Sequence, residues 1–82
     1  MVGARCAVTT QGMERRGSIA YVGKPGFAPG IWVGVILDEP TGKNDGTVKG
    51  KRYFTCLQNY GLFVKPENVK VGAYPELDID EL

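Results

Sequence analysis

Gly42-Lys43-Asn44-Asp45-Gly46 separates an apolar run at residues 31–37 from a basic and aromatic run at residues 49–54. Its two glycines allow backbone angles that a side chain would forbid, and Asn and Asp tolerate the left-handed region better than most residues do. Lys43 carries three donors on a cation, and the Asn44 amide offers two donors and an acceptor. Such a loop can hold these polar groups in one fixed arrangement, which would suit a carboxylate.

The same stretch also has a plainer interpretation, because Asn-Asp-Gly is a common signal for a tight turn between two strands. A phosphate-binding P-loop is excluded, since it needs Gly and Ser or Thr at the positions where this chain has Leu37 and Asn44. No dinucleotide-binding GxGxxG motif opens a helix here either. Taken alone, the stretch leaves a turn and a carboxylate-binding loop as alternatives.

Length and charge narrow the choice of fold and partner. The chain has 82 residues, enough for one small domain that buries only about 60 % of its unfolded surface. Residues 1–72 hold all ten Lys and Arg residues against five acidic ones, a balance of +5. The last ten residues carry four acidic residues and no base, a balance of −4. A basic body with an acidic end indicates an acidic partner, or a tail that competes for that partner's place.

The cysteine and histidine counts exclude several kinds of site. The chain has two cysteines, Cys6 and Cys56, and no histidine, which excludes Cys/His zinc sites and His-based triads. Two reduced, partly buried thiols are predicted, with no metal or cofactor. Without paired carboxylates in a plausible pocket or an activated Cys motif, the chain is not expected to be an enzyme. No signal-peptide core or bilayer-spanning apolar run is present, which predicts a cytosolic protein without a membrane partner.

Short runs of strand-forming residues, punctuated by glycine and proline, predict an all-β chain. The predicted strands cover residues 5–10, 15–23, 31–37, 47–48, 52–54, 61–65 and 69–71, with one helical turn at residues 66–68. Residues 56–60 fit neither a strand nor a helix clearly. Strands this short and this numerous imply a small antiparallel barrel or sandwich.

Two of these strands allow more detailed predictions. Residues 31–37 are apolar apart from Gly34 and are predicted to form a central strand that is buried on both sides. Gly34 should mark a bend or the close approach of another backbone. In the second strand, the period of two places Ile19 and Tyr21 on one face.

Aromatic residues are more numerous than a core of this size needs. The candidate rings are Phe27, Trp32, Phe54 and Phe63, and the first three flank in sequence the donor residues Lys43, Asn44, Lys51 and Arg52. An aromatic groove with cations and an amide at its edge fits a peptide that ends in acidic residues and a bulky residue with a free carboxylate. The alternatives are core roles for Phe27 and Trp32, and an ordinary solvated face for the basic residues.

These residues belong to a wider pattern that keeps a fixed spacing from about Gly17 to Val69. It reads Gly23-x3-Phe27-x2-Gly30-x-Trp32-Val33-Gly34-Val35-x-Leu37-Asp38-Glu39-Pro40-x-Gly42-Lys43-Asn44-Asp45-Gly46-Thr47-Val48-x-Gly50-x-Arg52-Tyr53-Phe54-x-Cys56, then Gly61-x-Phe63-Val64-x-Pro66. The pattern closely resembles the CAP-Gly domain, a glycine-rich module of cytoskeleton-associated proteins. The resemblance implies a highly twisted, SH3-like β fold with almost no helix.

The resemblance also implies a ligand and a set of site residues. CAP-Gly domains bind Glu-Glu-Tyr/Phe carboxyl termini, as on α-tubulin and microtubule end-binding proteins, through the Gly-Lys-Asn-Asp-Gly loop and nearby aromatics. Carried over to this chain, the match gives Lys43 and Asn44 as polar contacts. It gives Phe27, Trp32 and Phe54 as groove walls, with Phe63 and Lys65 at a matching stretch and with Gly42, Asp45 and Gly46 as loop scaffold.

The end of the chain resembles a particular branch of this family. Residues 69–82, Val-Lys-Val-Gly-Ala-Tyr-Pro-Glu-Leu-Asp-Ile-Asp-Glu-Leu, are similar to the carboxyl terminus of the tubulin-folding cofactor B family. There the CAP-Gly domain comes last, so we expect a CAP-Gly domain at residues 1–72 and an acidic tail at residues 73–82. Members normally carry a ubiquitin-like domain ahead of it, and the chain is accordingly expected to be a carboxyl-terminal fragment.

That resemblance implies a tubulin chaperone, which holds α-tubulin by its acidic tail and works with cofactor E on the tubulin heterodimer. Asp80-Glu81-Leu82 imitates the acidic-aromatic ligand with Leu82 in place of the aromatic residue, so the tail is hypothesised to block this groove, or that of a partner domain, weakly. The alternative is a solvated tail that binds no groove.

Two further readings compete with this one. In the first, the chain is the CAP-Gly domain of another microtubule plus-end or cytoskeleton-associated protein. A nucleic-acid module would use stacking rings with five basic residues: Arg15, Arg16, Lys49, Lys51 and Arg52. The balance of +5 is modest and no RNA motif is present, so no nucleic-acid partner is predicted.

Overall fold

A computed structural model describes residues 2–75 of the chain, and these residues form an almost entirely β structure with no long helix. The strands are β1 (Arg5–Thr10), β2 (Met13–Gly23), β3 (Trp32–Leu37), β4 (Thr47–Val48), β5 (Lys51–Arg52), β6 (Gly61–Val64) and β7 (Val69–Val71). A single 3-10 turn, Pro66–Asn68, precedes β7. The predicted all-β fold class is therefore confirmed.

Five strands form one antiparallel sheet in the order β6-β3-β2-β1-β7, and β4 and β5 form a separate hairpin. β3 lies inside the sheet, as predicted, with β2 and β6 on its two sides. β1 joins β2 through Gln11 and Gly12, whose φ angles of 52° and 76° are those of a tight two-residue turn. This turn lets β2 begin at Met13, two residues before the predicted start.

The fifth strand is shorter than the sequence predicts. Residues 52–54 were expected to be a strand, but β5 covers only Lys51–Arg52. The Tyr53 N–H still donates in register to the carbonyl oxygen of Gly46 at 2.8 Å, but the Phe54 N–H shares this acceptor at 3.4 Å and the Gly46 N–H turns to the Asn44 side chain, so the ladder ends here. The two aromatic residues therefore belong to the loop that they contact.

The aliphatic core lies on one face of the sheet. β3 contributes Val33, Val35 and Leu37, which alternate with residues of the opposite face as the period of a strand requires. The buried residues that pack together in this core are Cys6, Val8, Ile19, Val33, Val35, Leu37, Leu62 and Val64. The opposite face of β2, β3 and β6 is left for other contacts.

A β-bulge in β2 changes the face on which one tyrosine lies. Ile19 pairs with Val35 on the core face, whereas Tyr21 pairs with Gly34 on the opposite face, because the register shifts between the two residues. The prediction that Ile19 and Tyr21 share a face is therefore wrong. The extra residue of the bulge releases Tyr21 from the core.

The segment after β7 is held against the sheet. The Arg5 guanidinium donates from Nε to the carbonyl oxygen of Tyr74 at 2.7 Å, and it makes a two-pronged ion pair with Asp38 at 2.9 and 2.6 Å. Arg16 donates to the carbonyl oxygen of Pro75 at 3.2 Å and lies over the Tyr74 ring at 5.5 Å. The predicted ligand-like end of the chain, Asp80, Glu81 and Leu82, lies outside the described residues.

Both cysteine thiols are free. Cys6 is buried in the aliphatic core and Cys56 is half-buried, and desolvation by burial raises the pKa of each thiol. Raised pKa values keep both thiols protonated and weakly nucleophilic at neutral pH. Among residues 2–75 there is no helix of the length and apolarity that crossing a membrane requires.

Candidate peptide-binding site

Six aromatic rings form a cluster on the sheet face opposite the aliphatic core. This aromatic cluster consists of Tyr21, Phe27, Trp32, Tyr53, Phe54 and Phe63, all of them half-buried. Phe63 of β6 stands at its centre, with ring centroids 5.0 Å from Phe27, 5.4 Å from Tyr53, 5.5 Å from Phe54 and 5.8 Å from Tyr21. Most of the pairs meet edge to face, the arrangement that ring quadrupoles favour.

The loop between β2 and β3 adds the Phe27 ring beside that of Trp32, the first residue of β3, and its main chain forms hydrogen bonds with the cluster. The Phe27 ring lies 5.8 Å from Trp32 and 5.7 Å from Tyr53. The Trp32 indole N–H donates to the carbonyl oxygen of Pro29 at 3.0 Å, and the Gly26 N–H donates to the Tyr53 hydroxyl at 3.0 Å. Phe27 thus packs in the aromatic cluster and not in the aliphatic core.

Gly34 makes room for the aromatic cluster. A Cβ at this position would lie 2.6 Å from Cε1 of Phe54 and 3.0 Å from Cβ of Tyr21, so no side chain fits. The sequence predicted a bend or a nearby backbone here. The group that approaches Gly34 closely is instead the Phe54 ring, which can lie against β3 only because Gly34 has no side chain.

The loop Gly42–Gly46 is attached to the start of β6 by main-chain bonds. Asn44 and Gly61 exchange two hydrogen bonds, at 2.8 and 3.1 Å, and the Lys43 N–H also donates to the carbonyl oxygen of Gly61 at 2.8 Å. A Cβ on Gly42 would collide with that same carbonyl. The loop leads from β3 to β4, which lie in different sheets, so it is no hairpin turn between paired strands.

Gly46 connects the loop to two rings of the aromatic cluster. Its φ of +96° is one that side chains rarely adopt, and a Cβ would collide with the carbonyl group of Phe54. The Gly46 carbonyl accepts the N–H groups of both Tyr53 and Phe54. The Asn44 side-chain oxygen in turn accepts the Gly46 N–H at 2.9 Å, which fixes the turn. The loop therefore positions Tyr53 and Phe54.

Two lysines border the aromatic cluster, and a third stands on the loop Gly42–Gly46. Lys65 Nζ lies over the Trp32 ring at 4.9 Å, and Lys51 Nζ lies over the Tyr53 ring at 5.3 Å. Lys43 is exposed at the loop. None of these ammonium groups has a carboxylate within ion-pair distance in the described part of the chain. The amide nitrogen of Asn44 also has no hydrogen-bond partner there.

Arg52 has a different environment from the lysines. Its guanidinium donates to the carbonyl oxygens of Asp45 and Phe54 and to the Thr55 hydroxyl, each at 3.3 Å, and lies 3.6 Å from the Asp45 carboxylate. The hydrogen bond from the Thr47 N–H, joined by the Arg52 charge, lowers the pKa of the Asp45 carboxyl from its ordinary value. Through these contacts Arg52 stabilises the loop.

The structure brings together most of the residues that the sequence proposed for the site. Phe27, Trp32, Phe54 and Phe63 lie in the aromatic cluster, and Lys51 lies over its Tyr53 ring. Lys43 and Asn44 stand on the loop that positions Tyr53 and Phe54, and Arg52 is turned towards Asp45. Tyr21 and Tyr53 were not proposed, although they are part of the aromatic cluster. Tyr53 belongs to the basic and aromatic run at residues 49–54, and this position could have identified it as a site residue. No signal in the sequence reveals the bulge that moves Tyr21.

The fold and the site together define a known class of protein. The CAP-Gly domain family matches residues 2–69, and the chain belongs to that family. Its whole length is similar to part of a tubulin-folding chaperone: it is 60% identical over 83 residues to tubulin-specific chaperone B of Caenorhabditis elegans. It is also 56% identical over 84 residues to tubulin-folding cofactor B of Bos taurus, across 99% of this chain.

The chain spans about a third of the length of these curated relatives, 36% and 34% respectively. Dynactin subunit 1 of Xenopus laevis is a relative of another kind, 56% identical over 70 residues, which are 85% of this chain and 6% of dynactin subunit 1. The domain thus recurs in proteins that differ greatly in length and name.

Two solved structures have the same fold. The CAP-Gly domain of human kinesin-like protein KIF13B superposes with a TM-score of 0.80 at 42% identity, over 90% of this chain and 71% of that one. A Bik1 CAP-Gly domain with an ETF peptide from Bim1 superposes with a TM-score of 0.66 at 34% identity, over 82% of this chain and 78% of the Bik1 chain.

Proposed function

We propose that the aromatic cluster and the lysines around it bind the carboxyl terminus of an acidic protein, with a sequence of the Glu-Glu-Tyr/Phe type, and that α-tubulin is the principal partner. One observation carries the proposal. Lys51 and Lys65 lie over half-buried rings of the aromatic cluster, Lys43 is exposed on the loop that positions Tyr53 and Phe54, and no carboxylate of residues 2–75 pairs with these three lysines. A ligand with acidic side chains and a terminal carboxylate would supply the missing charges.

The aromatic rings and the charged groups should contribute differently to the binding free energy. Aromatic contacts add about 0.5–1.5 kcal/mol per ring pair beyond burial, whereas an exposed ion pair adds about 0–1 kcal/mol. The rings would therefore provide most of the affinity, and the lysines and the Asn44 amide would set the orientation of the bound peptide. A short epitope of this kind suggests a dissociation constant in the micromolar range, about −8 kcal/mol.

A solved relative supports the choice of ligand. The Bik1 CAP-Gly domain was determined with a peptide that carries the residues Glu-Thr-Phe, which combine an acidic and an aromatic side chain. Peptides from end-binding-type proteins are therefore a second ligand class for this chain. Catalysis forms no part of the proposal, and neither nucleic acid nor a membrane is a proposed partner.

The relatives support a wider role. Because they are tubulin chaperones, we infer that the chain is part of a cytoplasmic, cytoskeleton-associated tubulin-folding cofactor that works with cofactor E in assembling or dismantling the heterodimer. The alternative is the CAP-Gly domain of another cytoskeletal protein, a class that the dynactin relative represents. Binding of cofactor E by the longer protein would separate the two.

The acidic end of the chain forms part of the same proposal. With residues 1–72 as the CAP-Gly domain and residues 73–82 as a tail, Asp80-Glu81-Leu82 would occupy the groove of the same or a partner molecule. Leucine buries less surface than an aromatic residue, so this blocker would be displaceable. Removing residues 76–82 should then tighten the binding of an α-tubulin peptide, and an unchanged affinity would speak against blocking.

The direct test is an NMR titration of the labelled chain with a peptide that ends in Glu-Glu-Tyr, beside the same peptide with an amidated carboxyl terminus. The free acid should shift the signals of Lys43, Asn44 and Trp32, and the amide should shift them far less. If neither peptide binds, even after residues 76–82 are removed, the groove does not serve this function.

A further inference from the structure

β6 lies at the edge of the sheet, and its pairing with β3 shows which of its main-chain groups point towards β3 and which point away from the sheet. The Leu37 N–H donates to the carbonyl oxygen of Tyr60 at 2.7 Å, in register with the β3–β6 pairing. Because main-chain groups of a strand point alternately to its two sides, Leu62 and Val64 bond to β3. Gly61 and Phe63 therefore direct their N–H and C=O groups away from the sheet.

Gly61 and Phe63 differ in the hydrogen-bond partners of these outward-pointing groups. Asn44 accepts the Gly61 N–H and donates to its carbonyl, so the loop already acts as a one-residue extension of the sheet. The N–H and C=O groups of Phe63 have no hydrogen-bond partner among residues 2–75. Unpaired groups of this kind at a sheet edge are a template for another strand.

The charges beside this open edge favour one kind of strand. Lys43 stands at one end, where its N–H bonds to Gly61, and Lys65 directly follows β6 at the other end. Neither lysine has an acidic partner in the part of the chain that the structure describes. Two copies of this edge would bring like charges together, so self-pairing is disfavoured and an acidic peptide is favoured.

We propose that the acidic peptide adds to the open edge of β6 as a further strand, with main-chain hydrogen bonds to the N–H and C=O groups of Phe63. The proposal rests on the peptide-binding function given above and specifies how the ligand backbone is held. In an antiparallel pair, the ligand residue opposite Phe63 shares its face. The side chain of this ligand residue would then lie on the aromatic cluster. The aromatic residue of the peptide, placed here, is held both by its backbone and by its ring.

The geometry makes a sharp prediction for the ligand. Only one N–H group of the peptide can bond to the Phe63 carbonyl, while the next N–H along the strand points to the opposite side. A series of peptides ending in Glu-Glu-Tyr, each with one N-methylated amide, should therefore contain one position that weakens binding about tenfold or more. Methylation of the adjacent amide is the matched control and should change affinity less than about threefold.

Amide hydrogen exchange of the full chain gives an independent readout. Saturation with the unmodified peptide should slow exchange at Phe63, whereas Gly61, Leu62 and Val64, already bonded, should change little in comparison. If the peptide binds but the Phe63 amide keeps its free exchange rate and every N-methylated peptide binds alike, edge pairing is overturned while the peptide-binding function stands. If no peptide binds, both fail. Peptide-independent slowing that grows with protein concentration would indicate a second copy at this edge and would also overturn the proposal.

Discussion

The side-chain oxygen of Asn44 lies so close to Gly61 that a Cβ on Gly61 would collide with it. Around this contact the two residues exchange main-chain hydrogen bonds, and the Asn44 oxygen also accepts the Gly46 N–H. Asn44, through its main chain and its side-chain oxygen, thus connects the loop, the edge strand β6 and the turn that carries Tyr53 and Phe54. The site depends on Gly61 although this residue offers no side chain to a ligand.

Gly61→Ala should therefore disturb the site and the fold together. The added methyl group must push Asn44 away, and overpacking of this kind costs about 1–3 kcal/mol of unfolding free energy. Urea denaturation measures the loss, and the amide spectrum should change at Gly46, Tyr53 and Phe54. Gly26→Ala is the control, because its Cβ would meet only the Tyr53 hydroxyl at an ordinary 3.7 Å. Equal stability of the two variants would contradict the packing argument.

Lysine substitutions test the electrostatic border of the aromatic cluster. Lys43→Ala and Lys65→Ala should each weaken the binding of a Glu-Glu-Tyr peptide by about two- to fivefold, as the loss of an exposed ion pair of up to about 1 kcal/mol implies. Lys70→Ala is the control, since Lys70 lies on β7 at the other end of the sheet. Isothermal titration at two salt concentrations should also show a smaller salt dependence for the first two variants. A similar loss for all three would mean that only net charge matters.

Gly34→Ala tests the shape of the aromatic cluster. A Cβ at residue 34 would lie 2.6 Å from the Phe54 ring, so the ring must leave the surface of β3. Because Phe54 also contacts the central Phe63, the aromatic cluster would lose its shape. We expect peptide affinity to fall about tenfold or more, by analogy with the cost of losing aromatic contacts and burial. A peptide titration that shows unchanged affinity would remove Phe54 from the proposed site.

Local sequence patterns predicted much of this structure because they depend on neighbouring residues alone. Glycine and proline positions marked most turns, and runs of strand-forming residues marked the strands of the core. The bulge in β2 escaped prediction because pairing with β3 decides it, and it moves Tyr21 to the aromatic cluster. The bracing of the loop by Arg52 also escaped, since the contact with Asp45 exists only after the β4–β5 hairpin has formed.

Asp45 gives the loop a predictable response to acid. The pKa of its carboxyl is lowered, chiefly by the hydrogen bond from the Thr47 N–H, so Asp45 stabilises the folded state above its unfolded pKa, near the ordinary value of 3.8. That contribution is lost as the pH falls through the lower, folded pKa. Unfolding of the wild type and of Asp45→Asn, followed from pH 7 to pH 2.5, should show a stability difference that shrinks below about pH 4. A difference that is constant over this range would show that the charge is unimportant.

The first residues of the proposed tail, around Tyr74, should stabilise the domain on which they pack. A chain that ends at Pro75 keeps the hydrogen bonds from Arg5 and Arg16 and the contact between Arg16 and the Tyr74 ring. A chain that ends at Gly72 loses all three, at a cost on the order of 1–2 kcal/mol of unfolding free energy. Thermal or urea unfolding of the two shortened chains measures this cost directly.

Arg16→Ala shows whether that difference comes from the contacts named. The substitution should destabilise the chain that ends at Pro75, yet it should have little further effect on the chain that ends at Gly72, where its partners are already gone. Such non-additivity is the signature of a direct interaction. If the effects of truncation and substitution simply add, Arg16 acts elsewhere, and the domain boundary at residue 72 needs no revision on its account.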